Sequence, residues 1–128
     1  VDTNIVSDLV RHPDGAVTRR LKRVGEEAVA TSIVVACELR FGAVEKGSQR
    51  LTAQLELILE RLQIVPLEPP IDVEYGALRA KLERDGTPIG ANDMLIAAQA
   101  LALDLTLVTD DEREFSRVDG LRIENWLR

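Results

Sequence analysis

The sequence predicts an α/β protein, a three-layer α/β/α sandwich around a central parallel sheet. Three observations support this prediction: short apolar runs alternate with amphipathic helical segments, turn residues separate the two, and no repeat or linker interrupts the alternation. Repeated strand-then-helix order favours parallel strands covered by helices on both faces. The chain has 128 residues, which is the length of one domain, so we expect a single domain over residues 1–128.

The first half of the chain opens with Val1 and Asp2, which read as the end of a strand whose start we expect to precede Val1. Thr3 or Asn4 can cap the first helix. A short β-like run follows at residues 28–31, and Thr31-Ser32 is a suitable cap for the helix after it. Apolar residues at helical spacing, or a basic face, predict helices at residues 5–11, 16–24, 33–46 and 51–62.

The second half continues the alternation. A strand at residues 64–67 stops at two prolines, a helix covers residues 72–85, and residues 86–90 form a loop. The next helix begins at Ala91 or Asn92, runs to Leu103 and is nearly all apolar, so we expect it to be buried on most sides. A strand at residues 105–109, a helical turn at 112–116 and a last strand at 121–124 complete the pattern.

Composition narrows the class of protein. Cys37 is the one cysteine; it excludes an intrachain disulfide, fits a reducing compartment and is expected to be a small buried hydrophobe. No apolar run approaches the ~20 residues that span a bilayer, and no signal peptide is visible. We therefore expect a cytoplasmic protein without membrane association. The net charge of −6 disfavours a nucleic-acid binder, since phosphate contacts favour basic surfaces, unless bound metal offsets the acids.

Four acids fall where such a fold places its ligands, beyond the carboxyl ends of the strands: Asp2, Glu38, Asp93 and Asp111. Each alone is consistent with a cap, a turn or a solvent-facing side chain. Together they form a set of hard oxygen donors without a cysteine or histidine cluster, which suits Mg²⁺ or Mn²⁺. The chemistry that fits is phosphodiester hydrolysis by metal-activated water.

Four segments in order resemble the PIN-domain family, in particular its VapC-type toxins of prokaryotic toxin–antitoxin pairs. They are residues 1–4, Thr31-Ser32 with Glu38-Leu39 downstream, residues 90–93 running on to 100, and residues 107–111 leading to Phe115.

The resemblance implies a PIN-like fold and Mg²⁺- or Mn²⁺-dependent cleavage of RNA within the chain. It also implies the toxin component of a type II toxin–antitoxin system, a homodimer, and inhibition by a small VapB-type antitoxin. The acids of the family fall on Asp2, Glu38, Asp93 and Asp111, with Asp110 as the alternative to Asp111. The positions that support them in the family fall on Asn4, Ser7, Thr31 and Thr109.

Two questions remain open at this level. A basic cluster could contact RNA or could simply be a solvated helix face; its members are Arg11, Arg19, Arg20, Lys22 and Arg23. The alternative functions are a non-catalytic PIN-like binding or scaffold module and an aspartyl-phosphate protein. Retention of all four acids disfavours the scaffold, and residues 2–4 lack the second aspartate of the phosphatase pattern.

Overall fold

A computed structural model describes residues 1–128 and confirms the α/β class. The helices are α1 (Thr3–Arg11), α2 (Ala16–Val24), α3 (Ile33–Lys46), α4 (Gln49–Arg61), α5 (Ile71–Arg84), α6 (Ala91–Ala102) and α7 (Glu112–Phe115). The strands are β1 (Ala30–Ser32), β2 (Gln63–Val65), β3 (Leu107–Val108) and β4 (Ile123–Glu124). No helix combines the length and the apolar character needed to cross a membrane.

The strands form two parallel pairs, β1 with β2 and β3 with β4. The first two residues connect the pairs: the Val1 nitrogen donates to the Ala30 carbonyl at 2.8 Å, and the Asp2 N–H donates to the Val108 carbonyl at 3.0 Å. The Thr31 hydroxyl also donates to the Val1 carbonyl at 2.8 Å. Val1 and Asp2 therefore lie between β1 and β3, which places the Asp2 side chain where the two pairs meet.

Helix starts differ from the predicted ones because other side chains provide the caps. Asp2, rather than Thr3 or Asn4, caps α1 by accepting the Ile5 N–H at 3.2 Å. Ser48 caps α4 by accepting the Leu51 N–H at 3.1 Å, so α4 begins two residues before the predicted start.

The strands are shorter than predicted. Glu26–Ala28 form a 3₁₀ turn, so β1 begins at Ala30. Only two residues of the predicted strand at 105–109 pair with β4.

Half of α6 is buried in the core, which fits its apolar sequence: Met94, Ile96, Ala97, Ala98, Gln99 and Ala100 are buried. Helix α5 packs along α6, and α1 packs against α3 and α4. Phe115, at the end of α7, is one of the largest fully buried side chains. The short α7 is thereby anchored in the core beside the strand end that precedes it.

One face of α3 is more exposed than the sequence predicts. Cys37 is exposed, and Phe41 and Val44 are 66% and 77% exposed. Helix α3 buries Val34, Val35, Ala36 and Ala43. Residues 37, 41 and 44 share the opposite side at helical spacing, so the expectation of a buried Cys37 was wrong.

Candidate active site

Three carboxylates form the densest acidic group of the molecule. One oxygen each from Asp93, Asp111 and Glu114 lies within 4.8 Å of the other two, and all three side chains are half-buried. Asp93 lies in the first turn of α6, and Asp111 caps α7 by accepting the Glu114 N–H at 3.4 Å. The two helix starts thus face each other across the carboxylates.

A backbone contact links the two helix starts. Glu114 Oε1 accepts the Gly90 N–H at 2.7 Å, and Gly90 is the N-cap residue of α6 without a side-chain cap of its own. An N–H at a helix start needs a partner, and here a carboxylate from another helix supplies it. Glu114 therefore belongs both to the acidic group and to the support of the helix that carries Asp93.

The three carboxylates shift one another's pKa values. Burial, then a hydrogen bond with Glu114 and the charges of Glu114, Glu38 and Asp111, raise the pKa of Asp93 to about 7. The hydrogen bond to Glu114 and burial also raise the pKa of Asp111. Burial opposes ionisation of Glu114, but hydrogen bonds from the Gly90 N–H and from Asp93 and Asp111 outweigh it and lower the pKa of Glu114. A cation between these oxygens would relieve the repulsion that keeps the protons bound.

Asp2 is buried, with 5% of its surface exposed. Burial raises the pKa of its carboxyl group, while hydrogen bonds with the Thr109 side chain and the Ile5 N–H favour the charged form. The charge of Asp110 also raises the pKa of Asp2, which places these two acids close together.

Glu38 and Asp110 are each held by a residue of α1. The Thr3 hydroxyl donates to Glu38 Oε1 at 2.7 Å, and Asn4 Nδ2 donates to Asp110 Oδ1 at 3.0 Å. The charge of Glu38 acts on Asp93, so Glu38 borders the three carboxylates. Asp2 and Glu38 stay outside that group at the 4.8 Å limit.

The predicted supporting residues differ in their contacts. Thr109 Oγ1 accepts the Asp111 N–H at 2.9 Å and also bonds to Asp2, so it connects two acids. Thr31 holds Val1, as described above, and Asn4 holds Asp110. Ser7 is half-buried on α1 and makes no hydrogen bond to any of the acids.

The basic cluster is partly engaged within the chain. Arg20 pairs with Glu124 at 3.3 Å and lies over the Trp126 ring at 5.7 Å from its centre. Arg19 donates to the Asp14 carbonyl at 2.9 Å. Arg11, Lys22 and Arg23 are exposed and form neither an ion pair nor a side-chain hydrogen bond within the chain.

The chain also contains a cavity of about 460 Å³. Its lining includes Arg20, Gln99 and Trp126 but none of the candidate acids. The half-buried carboxylates of the candidate site therefore lie outside this cavity.

Sequence reasoning missed two residues, Glu114 and Thr3. Glu114 lies three residues after Asp111 in a segment predicted to be helical. Side chains at that spacing share a helix face, which was the available signal. Thr3 was considered only as a cap, and nothing in the sequence shows that its hydroxyl reaches Glu38.

Comparisons with known proteins agree with this architecture. The family model of the PIN domain matches residues 1–121. Ribonuclease VapC2 of Rickettsia felis is 37% identical over 98% of this chain and 96% of its own length. The tRNA(fMet)-specific endonuclease VapC of Shigella flexneri is 34% identical, again over 98% and 96%.

A solved structure gives the same result for the fold. The crystal structure of VapBC2 from Rickettsia felis, bound to a DNA fragment from their promoter, superimposes with a TM-score of 0.89 at 35% identity, covering 98% of this chain and 96% of that chain. The resemblance inferred from four motifs is thereby confirmed, and the chain belongs to the PIN-domain family.

Proposed function

We propose that this chain is a metal-dependent endoribonuclease of the VapC type, the toxin of a type II toxin–antitoxin pair. Residues 1–128 act as one nuclease domain that hydrolyses RNA phosphodiester bonds. The catalytic and metal-binding acids are Asp2, Glu38, Asp93 and Asp111, with Glu114 added to them. The observation that supports this most directly is the approach of three carboxylates to within 4.8 Å at a site where Asp93 has a pKa of about 7.

The residues present fit a hard divalent cation. The donor set is all oxygen, which suits Mg²⁺ or Mn²⁺ better than Zn²⁺. Asp93, Asp111 and Glu114 would hold the ion together with Glu38 and Asp2, which approach it from the border of this group. When bound, such an ion supplies a water of lowered pKa and neutralises charge on the phosphate.

The chain itself supplies preorganisation. Thr3 fixes Glu38, and Asn4 fixes Asp110. Thr109 bonds to both Asp2 and the Asp111 backbone. Because these supports come from α1 and the end of β3, the acids hold their relative positions before any ligand arrives, which lowers the reorganisation needed during reaction.

The proposed partners follow from the relatives. The Rickettsia felis structure is a VapBC2 complex on promoter DNA, so a small VapB-type antitoxin is the expected inhibitor of this chain. We also propose a homodimer and a cytoplasmic location, where both RNA and antitoxin are available. Sedimentation analysis of the purified chain, alone and with the product of the neighbouring antitoxin gene, tests both assemblies.

The decisive experiment measures RNA cleavage with Mg²⁺, with Mn²⁺ and with EDTA. The first RNA to test is tRNA(fMet), which is named for the Shigella flexneri relative. Cleavage is expected with either metal and should stop in EDTA. Asp93→Asn should abolish it, whereas Asp72→Asn, the same change in the exposed first turn of α5, should not.

Two outcomes would overturn the proposal. Cleavage that persists in EDTA would refute the metal mechanism. A chain that neither binds Mn²⁺ nor cleaves total RNA would be a non-catalytic scaffold of the PIN type.

A further inference from the structure

The loop at residues 86–90, between α5 and α6, is hydrogen-bonded to α7 and to the segment that follows α7. Besides the contact of Glu114 with Gly90, Arg117 Nη1 donates to the Pro88 carbonyl at 2.9 Å. A third contact, Lys81 Nζ to Asp119 Oδ2 at 3.0 Å, joins the last turn of α5 to the same segment. The contacts come from three successive places along the loop and its preceding helix.

The start of the loop is bonded to α5, since the Gly86 and Thr87 N–H groups donate to the Glu83 and Leu82 carbonyls at 3.2 and 3.0 Å. The rest of the loop has less local support: the cap position Gly90 makes no side-chain cap bond, and of the five loop residues only Ile89 is buried. Loops with few buried contacts open readily. The position of Asp93, three residues after Gly90, therefore depends on the contacts made from Glu114 and Arg117.

We infer that Arg117 is a positioning residue of the metal site: its bond to Pro88 holds the loop so that Asp93 faces Asp111 and Glu114. Arg117 lies three residues after Glu114, one helical turn away, and its side chain is exposed. The inference rests on the proposed metal site and adds a residue outside the acids that determines how well the site is formed.

A competing role for Arg117 is direct contact with an RNA phosphate. The observed hydrogen bond favours positioning, because the guanidinium is already directed at a backbone carbonyl. The two roles differ in what they change: positioning alters metal affinity in the absence of RNA, whereas phosphate contact alters only RNA binding.

The test is titration of Mn²⁺ into the full chain by calorimetry, without RNA. Arg117→Gln should raise the Mn²⁺ Kd about tenfold, the size typical for loss of a group that orients metal ligands. Arg113→Gln removes the same charge from an exposed arginine of α7 without an ion pair and should leave the Kd unchanged. Arg117→Lys, which keeps the charge and a donor, should recover much of the affinity.

Hydrogen exchange gives a second measurement that does not depend on metal. In EDTA, the Gly90 amide, which donates to Glu114, and the Met94 amide, which donates to the Gly90 carbonyl, should exchange faster in Arg117→Gln than in Arg113→Gln. Unfolding midpoints should stay close to wild type because the Arg117 side chain is exposed.

The outcomes separate this inference from the proposed function. Equal Mn²⁺ affinity in Arg117→Gln and Arg113→Gln, with wild type binding Mn²⁺ normally, would overturn the positioning role and leave the nuclease proposal intact. A raised KM for RNA at unchanged Mn²⁺ affinity would assign Arg117 to phosphate contact instead. Wild type that binds no Mn²⁺ would overturn the proposed function itself.

Discussion

Glu114 shows how one side chain can connect site chemistry with helix geometry. It accepts the Gly90 N–H, and it accepts hydrogen bonds from Asp93 and Asp111 when these are protonated. A bound cation would replace the protons but not the backbone contact. We therefore expect Glu114 to support the start of α6 as well as the bound ion.

Glu114→Gln should weaken Mn²⁺ binding at least about tenfold and reduce cleavage accordingly, because the amide carries no negative charge and Gln is a poor ligand for a hard cation. Calorimetric titration and an RNA cleavage assay measure the two effects. Glu112→Gln, in the same helix, is the matched control, since Glu112 bonds to Asn125 and Arg128 and not to the other acids. Equal effects of the two substitutions would remove Glu114 from the site.

Metal affinity should rise with pH. The metal-free chain holds a proton on Asp93 up to about pH 7, and Mn²⁺ must displace it. At pH 6 roughly one Asp93 in ten is ionised, so the Mn²⁺ affinity should be about tenfold lower than at pH 8. A pH-independent Kd would contradict the shared proton.

The same proton affects stability with the opposite sign. The folded pKa of Asp93 lies above its ordinary value of 3.8, so between about pH 4 and pH 7 the folded state binds more protons than the unfolded one. In EDTA, the unfolding midpoint should therefore fall as pH rises through that range. Asp93→Asn should flatten this dependence, which thermal unfolding at several pH values measures.

Among single residues, the acids that follow strands or begin helices could be predicted, because the order of strands and helices along the chain identifies those positions. Asp93 and Asp111 were found in this way. Glu114 lies inside a helical turn, where a glutamate ordinarily faces solvent. Its inclusion depends on the approach of α6 to α7, two helices connected only through the tertiary fold.

At the scale of elements, α6 links the site to the sheet. Its start carries Asp93, and its buried Gln99 donates to the Val65 and Pro66 carbonyls at 3.0 and 3.1 Å. One amide thus satisfies two backbone oxygens at the end of β2, on its last residue and the residue that follows. The link fixes α6 against the strand at a point two turns away from the acids.

Gln99→Leu should lower the free energy of unfolding by about 1–3 kcal/mol, since both carbonyls would lose their partner inside the protein. Urea unfolding measures the change. Gln49→Leu, at the exposed start of α4, should stay close to wild type. No difference between the two would show that water replaces the amide without cost.

Helices were better predicted than strands for a physical reason. A helix closes its own hydrogen bonds, so its spacing of apolar residues and its caps are local. The length of a strand depends on distant partners: β3 pairs with β4, 16 residues further along, and only Leu107 and Val108 have partners there. The exposed face of α3 was mispredicted for the same reason, since burial depends on which elements pack nearby.

In the whole molecule, acidic residues outnumber basic ones, but some basic residues cluster on one helix. The net charge is −6, and a bare acidic surface repels RNA. Two exposed members of the basic cluster, Lys22 and Arg23, lie in the last turn of α2. They remain predicted phosphate contacts.

Neutralising both, with Lys22→Gln and Arg23→Gln together, should raise the KM for RNA a few-fold and leave kcat nearly unchanged, because backbone phosphate contacts add affinity without acting on the reacting bond. The salt dependence of KM should weaken as well. Lys46→Gln, at the exposed end of α3, is the control. A fall in kcat with unchanged KM would assign these residues elsewhere.

The contact between α2 and the end of the chain provides an optical reporter. Trp126 is the only tryptophan; its indole N–H donates to Glu124 at 3.1 Å, and the Arg20 guanidinium lies over its ring. Its fluorescence therefore reports on the position of α2 relative to the end of the chain, without an added dye. An emission shift on mixing with RNA would register movement of the basic helix in real time, before a single bond is cut.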